Sequence, residues 1–172
     1  ALALPRMLER VSDRPVMTVA GALLAALTLA GGLGWWIACS LPSWPVFLAL
    51  WMVFGLLYSA VLTPPGRLLR RSAHAEDRPA IFAAQFALSH ACWLVTYPVA
   101  GWLGDAAGLP VTMAVLGGIA AGGVAVGLAV WPAGDPKVLE HDHPDLPADH
   151  PHLRAHGGRH HAHAFVIDDE HR

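Results

Sequence analysis

Charge is what this sequence lacks. Residues 15–66 carry no Asp, Glu, Lys or Arg, and neither do 79–104 or 106–134. Soluble helices keep polar residues on an outer face at a period of about 3.6, whereas these runs are apolar on every side, so their solvent is lipid. Cysteine is scarce as well. Cys39 falls near a membrane surface and Cys92 near mid-bilayer, depths that oppose a disulfide, and no metal or redox spacing joins them. No signal peptide is expected, because the first apolar run follows a charged segment and is too long for one. There is no initiator Met, and the opening Ala-Leu-Ala-Leu-Pro reads as the end of an earlier helix, so the expectation is a piece of a longer chain.

What is present is 55% hydrophobic residues, arranged in blocks. A spanning helix needs about 20 apolar residues to cross roughly 30 Å of hydrocarbon at about 1.5 Å per residue. The first run is too long for one crossing, and Ser40-Leu41-Pro42-Ser43-Trp44-Pro45 divides it. The expected fold class is therefore an all-α membrane protein with four transmembrane helices, at about 16–38, 45–63, 79–103 and 110–131. Residues 1–134 form the membrane block, and 135–172 form a polar, largely disordered tail.

Local chemistry sets the boundaries. Thr63-Pro64-Pro65-Gly66 ends the second helix, since proline has no N–H and forces its predecessor out of the helical region. Glu76-Asp77-Arg78-Pro79 starts the third, with Asp77 as cap, acids matching the dipole and Pro79 in the first turn. Pro98 is expected to kink that helix, for packing or for gating. Small residues recur four apart in the first and fourth helices: Gly21/Ala25, Ala26/Ala30, Ala30/Gly34, Ala114/Gly118, Gly118/Gly122 and Gly123/Gly127. Such spacing lets backbones approach closely within a membrane, whether the interface is static or moves.

Orientation follows from arginine. Arg6, Arg10 and Arg14 precede the first span, and Arg67, Arg70, Arg71 and Arg78 separate the second from the third, while the other two connections have no basic residue. The positive-inside rule places both arginine segments in the cytoplasm, and an even number of crossings returns the tail there. The expectation is a multi-pass protein of the plasma (inner) membrane with both termini cytoplasmic. Trp35, Trp36, Trp44, Trp102 and Trp131 lie near helix ends, where interfacial anchors belong.

Pro5-Arg6-Met7-Leu8-Glu9-Arg10-Val11-Ser12-Asp13-Arg14 resembles the Gly-x-x-x-Asp-Arg-x-Gly-x-Arg loop motif of the major facilitator superfamily. Glu9, Arg10 and Arg14 take its acidic and basic positions, and Pro5 and Ser12 replace its glycines. The copy is degenerate, like the one that family carries between its eighth and ninth helices. By that count the four spans look like helices nine to twelve of a twelve-helix bundle, and residues 98–105 resemble the outer end of the eleventh. The resemblance implies a secondary transporter working by alternating access around a central site, with Glu9, Arg10 and Arg14 in contacts that hold the cytoplasmic gate. The competing reading is that Arg6, Arg10 and Arg14 simply enforce topology and bind lipid headgroups, a role they can fill at the same time.

His90 is the one ionisable residue near the middle of a span, and intramembrane ionisable groups are costly enough to mark a functional site. Gln85, Ser89, Cys92 and Thr96 form a polar stripe on the same helix, with His90 and Tyr97 beside it. That face is expected to point into the bundle. His90 would accept a coupling proton, ligate a metal or bond a substrate there, unless it is a neutral imidazole bonded to an adjacent helix. Thr28, Tyr58 and Ser59 are weaker candidates.

Nine of the eleven histidines lie after residue 140. His141/His143, His150/His152 and His161/His163 are His-x-His pairs, whose side chains share a face in extended backbone, and Pro144, Pro147 and Pro151 favour extension. Neutral imidazole binds zinc, nickel and copper, and Asp142, Asp145 and Asp149 add oxygen donors. Two readings stand open: a labile chelating segment without a fixed four-ligand framework, and a solvated tail with no metal role. A histidine-rich tail also resembles nickel-efflux members of the superfamily. The apolar run Phe165-Val166-Ile167, flanked by charge, suggests a docking peptide.

A secondary transporter is the reading these features favour, exporting a divalent metal or a small molecule. The alternative is a four-helix membrane scaffold or assembly subunit with a metal-binding tail, which leaves the loop motif unexplained. A membrane enzyme is disfavoured, because no nucleophile-base pair or carboxylate cluster shares one depth. Expected partners are the lipid bilayer, the preceding transporter helices, a small-molecule or ion substrate and a divalent metal on the tail. No cofactor and no nucleic acid is among them.

Overall fold

The computed structural model describes residues 12–38, 43–134, 138–164 and 166–167. Helix α1 spans Asp13–Ala38, α2 Trp44–Leu62, α3 Pro65–Arg71 and α4 Arg78–Val130; the tail holds strand β1, Val138–Asp142, the short helix α5, Pro151–His156, and strand β2, His160–Ala164. Asp13 sits in the first turn of α1, where a carboxylate complements the helix dipole. Pro64 and Pro65 stop α2 and preset the first turn of α3. Asp77 occupies the N-cap position of α4 but makes no side-chain cap bond, unlike the expectation for it.

Among the described residues three helices, rather than four, are long and apolar enough to cross a membrane. The third is α4, whose 53 residues would stretch about 80 Å if straight, far beyond a bilayer. Its backbone leaves the helical region at Gly108, where φ is 80° and ψ 169°, a conformation glycine adopts without a Cβ clash. Pro98 lies within a run of helical φ/ψ, so the break falls not at the proline but in the connection expected between the third and fourth spans. Residues eight apart in an unbroken helix are separated by about 12 Å, yet a Cβ at Gly104 would stand 4.0 Å from Thr112 Oγ1. The chain therefore folds back at Gly108, and the turn expected over 104–109 is confined almost to that one residue.

The returning part of α4 packs antiparallel on α1. A Cβ at Gly32 would meet the Pro110 carbonyl, one at Gly117 would meet Leu29, and one at Gly21 would meet Val124. Contacts also join α1 to α2. Buried apolar residues are few and mostly small, Ala20, Ala25 and Ala73, whereas Leu56, Leu94, Val126 and Val130 are more than half exposed. Close backbone approach at small residues, with large apolar side chains outward, is how helices associate in lipid.

The expectation of a largely disordered tail differs from the structure. β1 and β2 pair antiparallel, with His141 opposite His161 and Asp142 opposite His160, and α5 fills the connection. Alternation along residues 138–143 and 160–164 supplied the pleat, and Gly157 and Gly158, both at positive φ, supply the reversal from α5 into β2. The described residues are thus mostly helical, with one small sheet.

Candidate functional site

Three groups of polar residues stand out. The first gathers at one end of the helices. Asp13, buried, forms an ion pair with Arg67 at the start of α3. Next to it, Arg14 Nε donates to the Trp131 carbonyl at 2.8 Å, and in the tail Ile167 N–H donates to the Arg71 carbonyl at 2.9 Å. A cavity of about 240 Å³ lies among Asp13, Arg14, Pro15, Arg71 and Trp131. The entry to α1, the α3 loop and the exit of α4 are therefore joined by charge at a single end. Glu9 and Arg10 lie outside the described residues. Asp13 and Arg67 escaped the motif reading; the available signal was a carboxylate in the first helical turn and a connecting segment, 65–71, whose charged residues are all arginine.

The second group is the strip on α4. Ser89 Oγ and His90 Nδ1 both donate to the Phe86 carbonyl at 2.8 Å, and Thr96 Oγ1 donates to the Cys92 carbonyl at 2.9 Å. These polar groups satisfy themselves on their own helix. The His90 ring lies between Phe86 and Trp93, with centroids 3.8 and 4.7 Å away. Gln85, His90 and Tyr97 are exposed, and Ser89 and Thr96 partly so, which leaves the strip on the outside of the described helices. Because a carbonyl only accepts, His90 carries its proton on Nδ1 when neutral. Thr28 bonds back to the Leu24 carbonyl, and neither it, Tyr58 nor Ser59 joins this strip.

The third group is in the tail. The pleat sends His141, His143, His161 and His163 to one face and Glu140, Asp142 and His160 to the other. Continuation of the ladder by His143 N–H to the Arg159 carbonyl, 3.0 Å, keeps His143 in register. His152 reaches the same face from α5, and its Nε2 lies 2.9 Å from His161 Nε2. One ligand atom from each of His141, His143, His152, His161 and His163 falls within 4.8 Å of all the others. His150, expected among the ligands, lies outside that group; its Nδ1 accepts from His152 N–H and caps α5. His156, not singled out in the sequence, stacks on His163 at 4.5 Å. His171 lies outside the described residues.

On the opposite face His160 bonds Asp142 and Glu140 at 2.9 and 2.8 Å. Its hydrogen bond to Asp142, then that to Glu140, and the charge of both raise its pKa above the usual imidazole value. A raised value means that this pairing supports the sheet fully at mildly acidic pH and is lost as pH rises through the raised pKa.

The model of the Major Facilitator Superfamily matches residues 1–160, which covers every helix described above. No curated protein and no solved structure matches the chain. A multi-pass membrane protein of the transporter type follows from the family and the long apolar helices together. The chain belongs to the Major Facilitator Superfamily.

Proposed function

We propose that the chain forms the last four spans of a secondary active transporter that works by alternating access. The two parts of α4 on either side of Gly108 each exceed the roughly 20 residues a crossing needs, so they serve as the third and fourth spans. The observation that carries the reading is the charged end, where Asp13–Arg67 and Arg14–Trp131 tie three segments together. Ionic contacts at helix ends exchange partners between two packings of similar energy, and Glu9 and Arg10 would extend the same gate. The arginines put this end, both chain termini and the tail in the cytoplasm, under a plasma-membrane bilayer. The exposed strip of Gln85, Ser89, His90, Thr96 and Tyr97 faces the preceding helices of the full transporter rather than lipid, because polar groups at that depth are costly in hydrocarbon. The cargo is a small molecule or a divalent metal ion, and the tail favours testing the metal first.

Two measurements test this. With Cys39 and Cys92 replaced by Ser, Ser43→Cys should react with an impermeant maleimide on intact cells and Ser72→Cys only after permeabilisation. Labelling of both from one side would overturn the topology. Everted vesicles holding the intact gene product should then accumulate cargo only under an ion gradient, with nickel, zinc and cobalt the first cargoes assayed.

A further inference from the structure

A unit as small as residues 138–164 has almost no apolar core. Leu153 is its one buried apolar side chain among the described residues, and units of this size ordinarily need a disulfide or a metal to stay folded. Here the interior is imidazole instead. Three of its rings are fixed by main-chain carbonyls: His141 Nδ1 donates to Leu139, His161 Nδ1 to Gly158 and His163 Nδ1 to Ala164, at 3.0, 2.7 and 2.9 Å. With the proton held on Nδ1, Nε2 is the nitrogen each ring would turn to a metal, and in His161 that atom already faces His152 Nε2. A carbonyl accepting the far N–H is the usual outer support of a metal-bound histidine.

Spacing and donor type agree with that assignment. Two nitrogens bound to one tetrahedral zinc at 2.0–2.1 Å would be about 3.3 Å apart, and His152 and His161 need only a small outward shift from 2.9 Å. The carboxylates of Glu140 and Asp142 are engaged by His160 on the other face. A nitrogen-only set excludes calcium and magnesium, which take oxygen, and suits first-row ions such as zinc, nickel and copper.

We propose that His141, His143, His152, His161 and His163 form a fixed site for one first-row divalent cation, and that this ion folds the tail and docks it through Ile167 on the Arg71 carbonyl. The docking brings metal occupancy to the loop whose Arg67 holds Asp13. Only this last consequence rests on the transporter reading. The site contrasts with a labile chelating segment because its ligands come from three elements in one register.

Titration calorimetry on the full chain, purified in detergent and stripped with chelator, should find one tightly bound Zn²⁺ per chain near neutral pH. His141→Ala and His161→Ala should each weaken binding by at least ~100-fold, beyond the roughly 10–100-fold cost of losing an outer-shell partner. His160→Ala, equal in composition but on the opposite face, should change it less than about threefold. Co²⁺ should give the intense visible bands of a four- or five-coordinate nitrogen site. Trypsin cleavage after the exposed Arg154 and Arg159 should slow about tenfold with Zn²⁺ in the parent chain, and not in His161→Ala. Several weak ions without a tight first one, equal losses in His160→Ala and His161→Ala, or metal-independent cleavage would each overturn the proposal. These readouts involve no gradient or flux, so a metal site found in this chain while the intact gene product transports nothing removes the transporter reading and leaves this one standing.

Discussion

Arg14 Nε reaches the main-chain carbonyl of Trp131 at 2.8 Å, across 117 positions of sequence, and so closes the first long helix on the exit of the last. A carbonyl at a helix C-terminus carries partial negative charge, and a charge-assisted bond of this kind is worth about 1.5–3 kcal/mol. Arg14→Ala should therefore lower the melting temperature of the detergent-purified chain by several degrees. Arg14→Lys should recover only part of the loss, since lysine offers a point charge where Arg14 aims a planar Nε–H. Equal melting temperatures for all three chains would mean the contact contributes nothing.

Asp13 and Arg67 should behave asymmetrically. Asp13 is buried and Arg67 is 38% exposed, so Arg67→Ala strands a carboxylate away from water, whereas Asp13→Ala leaves an arginine that can still be hydrated. The first should cost about 3 kcal/mol or more and the second distinctly less. Adding Asp13→Ala to Arg67→Ala should restore part of the stability. A double-mutant cycle with no coupling would show that the two residues act independently.

The membrane block was legible because its signal is long and redundant: charge-free runs, proline breaks and arginine asymmetry all give the same element order. The site was less so. The motif resemblance singled out Arg14 but could not show that its partner would be a backbone carbonyl at Trp131, since carbonyls leave no trace in residue type. The tail was misjudged for a related reason. Proline and polarity suggested disorder, yet the His-x-His alternation that was noticed on each segment is also the pattern of a paired strand, and only the pairing of His141 with His161 turns separate doublets into one cluster. His150 went to a helix cap because Pro151 follows it at the first helical position.

His90 should matter to function more than to folding. Its ring is exposed and its one main-chain bond runs to Phe86 within its own helix, so His90→Gln should leave the melting temperature nearly unchanged. Flux in the intact transporter should fall at least tenfold or change its pH profile, while His90→Ala should be no less stable by more than about 1 kcal/mol. A variant with parental flux and pH profile would make the ring a packing residue for Phe86 and Trp93.

Glycine substitutions separate the observed helix interface from the one that spacing alone suggests. Fours-spaced small residues pointed to Gly118, Gly122, Gly123 and Gly127, but an added Cβ at any of these meets nothing within 4 Å. At Gly117 the same Cβ would stand 2.8 Å from Leu29 Cγ and 3.1 Å from its backbone N, and at Gly32 it would stand 2.9 Å from the Pro110 carbonyl oxygen. Backbone atoms cannot step aside as a flexible side chain does, so α1 and the end of α4 must separate to admit the methyl. Gly32→Ala and Gly117→Ala should each destabilise the purified chain by about 1–3 kcal/mol, the usual cost of overpacking. Gly118→Ala and Gly122→Ala should be neutral or slightly stabilising, because alanine is the better helix former by roughly 1 kcal/mol. Gly21→Ala is the intermediate case, since its only close neighbour is a Val124 methyl at 3.0 Å. Thermal unfolding of the five variants ranks them directly, and a series in which Gly118→Ala and Gly122→Ala lose as much as Gly117→Ala would relocate the interface to the opposite face of α4.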